Sequence, residues 1–131
     1  MAWTSKVAVS KQYDDIVDIL WVELSDGGEL TADVLVDVSA FTKRNGSAAT
    51  GCIVESYEVQ MFGAQDVGYW SLQVGTTLID AGGVGQAVFG PFYTEAAARD
   101  DLLKATGDLT VTTLATDSGD ALRIKARVSL I

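Results

Sequence analysis

The end of the chain constrains the fold most. From Ala121 to Leu130, the apolar residues Leu122, Ile124, Ala126, Val128 and Leu130 alternate with Arg123, Lys125, Arg127 and Ser129. Side chains of an extended strand point to opposite faces in turn, so a strict period of two is what a half-buried strand needs; on a helix these apolar residues would spread all round the axis. Just before it, Asp117-Ser118-Gly119-Asp120 is a turn signal, and 109–116 is rich in Thr and Val, as strands are. The two runs together predict a β-hairpin.

The same logic covers most of the chain. Residues 6–10 and 15–24 read as strands, the second ended by Asp26-Gly27-Gly28, and 33–38 alternates Val34, Val36 and Val38 against Asp33 and Asp37. A polar loop over 42–51 holds Lys43-Arg44-Asn45-Gly46. After it Ile53, Tyr57, Val59 and Met61 share one face of a long strand, a face that Glu55 interrupts. Residues 63–68 read as a turn, and Trp70, Leu72 and Val74 then resume the alternation. One segment departs from this pattern. Over 94–105, Thr94 as N-cap, Glu95 in the first turn, Ala96-Ala97-Ala98 and Leu102-Leu103, ending before Gly107, predict one short helix. About eight short strands separated by turns predict an all-β fold, an antiparallel β-sandwich or jelly roll with one short helix, as a single domain over 1–131.

At 131 residues, 48% of them hydrophobic, the chain is long enough to bury a core without metals or disulfides. Eighteen acidic against nine basic residues give a formal charge of −9, which repels phosphate backbones and anionic lipid; neither nucleic acid nor a membrane is an expected partner. No apolar run approaches the roughly 18 residues of a membrane span. The opening residues lack the apolar core of a signal peptide, and the lone Cys52 opens the apolar stretch Cys52-Ile53-Val54, so synthesis in a reducing cytoplasm and a buried thiol are expected. The chain has no histidine, the commonest general base and transition-metal ligand. No catalytic motif is complete, so the chain reads as a non-enzyme without cofactor or metal.

Several clusters nevertheless hold chemistry worth placing. Gly82-Gly83-Val84-Gly85 lacks the Gly-Lys-Ser/Thr ending of a phosphate-binding loop and is followed by a strand-like run over 86–89, so it reads as a plain loop. Asp14-Asp15 with Asp18, Asp100-Asp101, and Asp117 with Asp120 are the acidic clusters. None has the spacing of a calcium loop, and only the turn at Asp117 and Asp120 is a candidate for a bound cation. Trp21, Tyr69 and Trp70 are candidates for a sugar-stacking platform, although Trp70 lies in phase with Leu72 and Val74 and Tyr69 faces the other way. Arg123, Lys125 and Arg127 form a basic stripe on an acidic chain, either a solvated face or an interface for an acidic surface.

Several segments resemble small structural proteins of tailed-phage virions, above all those that decorate capsids: 36–41 (VDVSAF), 53–59 (IVESYEV), 107–113 (GDLTVTT) and 118–122 (SGDAL). The resemblance covers about half of the chain and rests on motifs of strands and turns; the helix expected over 94–105 departs from the pattern. It implies a cement protein located in the virion, made in the host cytoplasm, that binds the major capsid protein or other virion proteins as a homo-oligomer, a trimer above all. Neck, tail and fibre components share the same signature. A carbohydrate-binding or adhesin module is the reading from a different class.

Overall fold

A computed structural model of the chain describes residues 4–25, 27–63, 68–85, 87–90, 104–116 and 119–131. In chain order the strands are β1 (Thr4–Tyr13), β2 (Ile16–Leu24), β3 (Asp33–Val36), β4 (Gly51–Phe62), β5 (Tyr69–Val74), β6 (Thr77–Gly83), β7 (Ala87–Gly90), β8 (Lys104–Thr106), β9 (Leu109–Leu114) and β10 (Ala121–Leu130). They build an all-β sandwich of two antiparallel sheets. One sheet has the order β1-β2-β10-β4-β7, with β8 also paired to β4, and the other has the order β3-β9-β5-β6.

The alternation over Ala121–Leu130 places β10 at the centre of the six-stranded sheet, between β2 and β4, with Leu122, Ile124 and Val128 fully buried. Facing them across the sandwich are Trp70, Leu72, Val74, Leu109 and Val111, in one apolar cluster that joins the two sheets. Burying side chains of this size contributes roughly 1.5–3 kcal/mol each, and this cluster is what holds the sheets together. The β1–β2 hairpin closes through Asp14-Asp15, with Asp14 at a φ of 51°, a left-handed conformation that aspartate tolerates.

The structure corrects four local expectations. The runs 109–116 and 121–130 do not form a hairpin. β9 pairs with β3 and β5, β10 pairs with β2 and β4, and the chain therefore passes from one sheet to the other between them. Second, Ile53 does not share a face with Tyr57, Val59 and Met61. Arg127 is opposite Ser56 and Val128 opposite Val54, so Glu55 is an extra residue in β4. This β-bulge reverses the alternation: Cys52 and Val54 point into the core before it, Tyr57, Val59 and Met61 after it. Third, the run over 33–38 stays extended only to Val36; Val38–Ala40 forms a 3₁₀ turn capped by the Asp37 carboxylate, which accepts from Ser39 N at 3.1 Å. Fourth, Gly82 and Gly83 lie in the edge strand β6 and not in a plain loop.

Of the helix expected over 94–105, residues 94–103 lie outside the described residues. Lys104 and Ala105 are in β8, opposite Ile53 and Cys52, and so the expected helix does not reach 105.

Candidate functional site

Within the described residues the chemistry outside the core lies on the two outer sheet faces and at the sandwich ends. The basic stripe of β10 lies on the outer face of the six-stranded sheet, as its alternation with Leu122 to Leu130 requires. There it is largely neutralised from within. Arg127 donates to Asp18 on β2 through Nε at 2.7 Å and Nη2 at 2.9 Å, and Arg123 Nη1 lies 3.3 Å from Glu58 Oε1 on β4. The Arg127 guanidinium holds the Asp18 carboxyl below its usual range, with partial burial opposing it and the Tyr13 hydroxyl assisting. In return, Asp18 raises Arg127. Lys125, between these pairs, makes no ion pair among the described residues. It sits in a shallow groove of about 400 Å³ with Asp18, Ser56, Glu58, Phe89 and Arg127. The stripe is therefore a mosaic of both signs.

The three candidate stacking rings do not share a surface. Trp21 and Trp70 are buried in the core on different sheets, and only Tyr69 faces out, 58% exposed. Tyr69 borders a second shallow groove of about 400 Å³, whose floor is Gly68, Gly82 and Gly83 beside Trp70 and Val84. The glycine at 82 is required there, because a Cβ would come within 2.8 Å of the Trp70 ring. The Trp70 Nε1 has no hydrogen-bond partner among the described residues.

At one end of the sandwich the Glu29 carboxylate accepts from Thr113 Oγ1 at 2.9 Å and from Thr116 N at 2.8 Å, tying the 27–30 segment to β9. Asp120 is buried, with its carboxylate against Gly63 and Gly68, so this half of the candidate cation turn points into the structure. Asp117 lies outside the described residues. Among the described residues no group of three or more acidic or sulfur side chains is placed to hold a metal ion. Cys52 is fully buried, and burial, with a smaller contribution from Asp108, pushes its thiol up to about 12, far from a nucleophile's range.

Sequence reasoning missed the outer face of the four-stranded sheet. The outward positions Tyr69, Ser71 and Gln73 on β5, Thr110, Thr112 and Leu114 on β9, Val34 on β3, and Leu78 and Ala81 on β6 include no acid and no base. Four of them expose more than half of a large apolar side chain: Val34 at 51%, Tyr69 at 58%, Leu78 at 60% and Leu114 at 65%. The signal is present in each strand alone, as outward positions without charge. It becomes a face only once the order β3-β9-β5-β6 is known.

Comparison of the chain with protein-family models, curated protein sequences and solved structures finds no match in any of the three.

Proposed function

We propose that this chain is a non-enzymatic structural protein of a tailed-phage virion, a decoration protein that stabilises the shell by surface contact and not by turnover. The observation that supports this reading is the uncharged, partly apolar outer face of the four-stranded sheet on a chain of formal charge −9. Surface acids keep a protein soluble, so a broad face without them is suited to being covered. A protein repeated over a lattice also needs only weak individual contacts, because many of them add. The virion assignment itself rests on the resemblance of the strand and turn motifs. Its test is co-sedimentation of the purified chain with emptied heads of the source phage, with heads of an unrelated phage as control. Saturable, stoichiometric binding to the first alone is expected; heads that stay bare would overturn the assignment to the shell.

The carbohydrate-binding reading is favoured by one observation, the exposed Tyr69 ring beside the glycine-floored groove. With Trp21 and Trp70 in the core, that module would have one stacking ring and not three. A glycan array separates the readings: selective retention that Tyr69→Ala abolishes would favour the sugar-binding module, and no retention would remove it.

A further inference from the structure

Three outward rows make up the face of the four-stranded sheet: Leu114, Tyr69 and Gly83; then Thr112, Ser71 and Ala81; then Val34, Thr110, Gln73 and Leu78. Apolar side chains occupy one end and two corners, and hydroxyls and one amide fill the middle. The middle is bonded sideways within the sheet. The Gln73 amide donates to Ser71 Oγ, Thr110 Oγ1 donates to Gln73 Oε1 at 3.4 Å, and Thr112 Oγ1 accepts from Ala32 N at 2.9 Å. Polar groups that already have partners lose less when water is removed, so this face can be covered with little desolvation penalty.

A charged partner gains nothing here, since an acid or base pressed against this face would lose its water and find no counter-ion. Nucleic acid, anionic lipid and charged protein patches are disfavoured together. The surface that fits must itself be uncharged, with both donors and acceptors, and this chain carries such a surface. Hydroxyls and amides donate and accept, so they can meet copies of themselves, which carboxylates cannot. Among the described residues the ionic side chains of the strands lie on the other outer face, as with Lys11, Asp18, Glu58, Arg123, Lys125 and Arg127, or take inward positions, as with Glu23, Asp33 and Asp80. Two chains of charge −9 that meet through their four-stranded sheets keep most of that charge apart.

We propose that the occupant of this face is the same face of a second copy, packed about a two-fold axis. The proposal deepens the contact-protein reading and rests on it. Four strands about 4.8 Å apart and about 20 Å long give a projected area of roughly 400 Å². That is about half of the roughly 800 Å² per partner of a standard interface, so the pairing is weak in solution. It would be one contact of a larger assembly.

The test is sedimentation equilibrium of the full chain from about 1 μM to about 1 mM, a range that brackets weak association. A monomer–dimer equilibrium is expected. Leu114→Glu should weaken it at least about tenfold, whereas Gln60→Glu, the same added charge on the opposite outer face, should change it less than about twofold. Raising salt from about 50 to about 500 mM should leave the dimer unchanged or strengthen it, because like net charges are screened. Thermal melts establish that each variant is folded, and Tyr69→Glu replaces Leu114→Glu if the latter is not. A chain monomeric throughout, a folded Leu114→Glu that associates like the parent, or a dimer that salt dissolves tenfold would each overturn the proposal. A monomer that still coats phage heads removes this proposal and keeps the contact reading. A dimer that leaves heads bare does the reverse.

Discussion

The two outer faces of this sandwich share one strand geometry, both expose apolar side chains, and they differ in charge. The six-stranded sheet turns out Asp18, Glu58, Arg123, Lys125 and Arg127, cross-linked by ion pairs between neighbouring strands, with Phe62 and Phe89 exposed among them. The four-stranded sheet turns out threonine, serine, glutamine and exposed apolar groups, with neutral hydrogen bonds along β5 from Gln73 to Ser71 and across to Thr110 on β9. Exposed ion pairs contribute little to stability, a median of about 0–1 kcal/mol, but they make a face hard to cover because every charge must be dehydrated. A neutral face reverses both properties. The contrast teaches that this chain concentrates its charge on one side of the sandwich and leaves the other free for contact.

The inner faces repeat the comparison in a form that can be broken most forcefully. Carboxylates of both sheets take inward positions, Asp33 and Asp80 on one and Glu23 on the other. Asp80 of β6 accepts from the Tyr57 hydroxyl across the sandwich, whereas Glu23 of β2, 7% exposed, makes no hydrogen bond among the described residues. Burial, with a smaller push from Asp33, raises Glu23 from 4.5 to about 7. Below pH 4.5 the group is protonated in both folded and unfolded chains and has no effect. Between 4.5 and 7 the unfolded chain releases the proton while the folded chain keeps it, so stability falls as pH rises and stays low above 7. Glu23→Gln should therefore stabilise the protein at pH 8 by up to about 3 kcal/mol and leave it unchanged at pH 4. Urea unfolding at the two pH values measures this; equal effects at both would mean that Glu23 is solvated in the fold.

Two edge-strand glycines sharpen the contrast at a smaller scale. Gly82 of β6 makes room for the Trp70 ring, and Gly90 of β7 makes room for the Tyr57 hydroxyl end. Trp70 is 1% exposed and closely packed, so its ring cannot retreat from a methyl group placed 2.8 Å away. Gly82→Ala and Gly90→Ala should each destabilise by about 1–3 kcal/mol, because Tyr57 is buried like Trp70 and its hydroxyl is held by Asp80. Thermal melts of the two variants check this. A variant as stable as the parent would mean that its edge strand gives way to the methyl group.

How much of this was legible in the sequence depends on whether a feature is local. The period of two over Leu122–Leu130 fixes β10 as a half-buried strand, and the same pattern over 69–74 separates buried Trp70 from exposed Tyr69. Glu55 shows where local reading ends. A bulge keeps every residue in a strand but reverses the phase, so the period of two puts Ile53 on the face of Tyr57 although Cys52 and Val54 are the inward pair. The hairpin expected from 109–116 and 121–130 fails for a related reason. The turn signal at 117–120 marks a reversal of the chain but does not say whether the next strand returns to the same sheet. The basic stripe was correctly placed on one face, yet its partners Asp18 and Glu58 come from β2 and β4, distant in sequence, and only the register reveals that two of its three cations are paired.

The smallest expected effect distinguishes the outer faces most directly, because it depends on the kind of bond each uses. On the six-stranded sheet Arg127 meets Asp18 through two parallel hydrogen bonds, with about half of the Arg127 side chain exposed at 49%. Water screens such a pair, so a double-mutant cycle of Arg127→Ala and Asp18→Ala should give a small but measurable coupling in low salt. In about 1 M salt, where the screening length falls to roughly 3 Å, that coupling should shrink by at least half. The matching cycle on the four-stranded sheet, Gln73→Ala with Ser71→Ala, removes a neutral contact of similar size, for which ionic screening has no lever. Its coupling should stay the same in both salts. If the two cycles respond to salt alike, the faces do not differ in the way that their side chains indicate, and the charge-free face loses its claim to be the side that meets a neighbour.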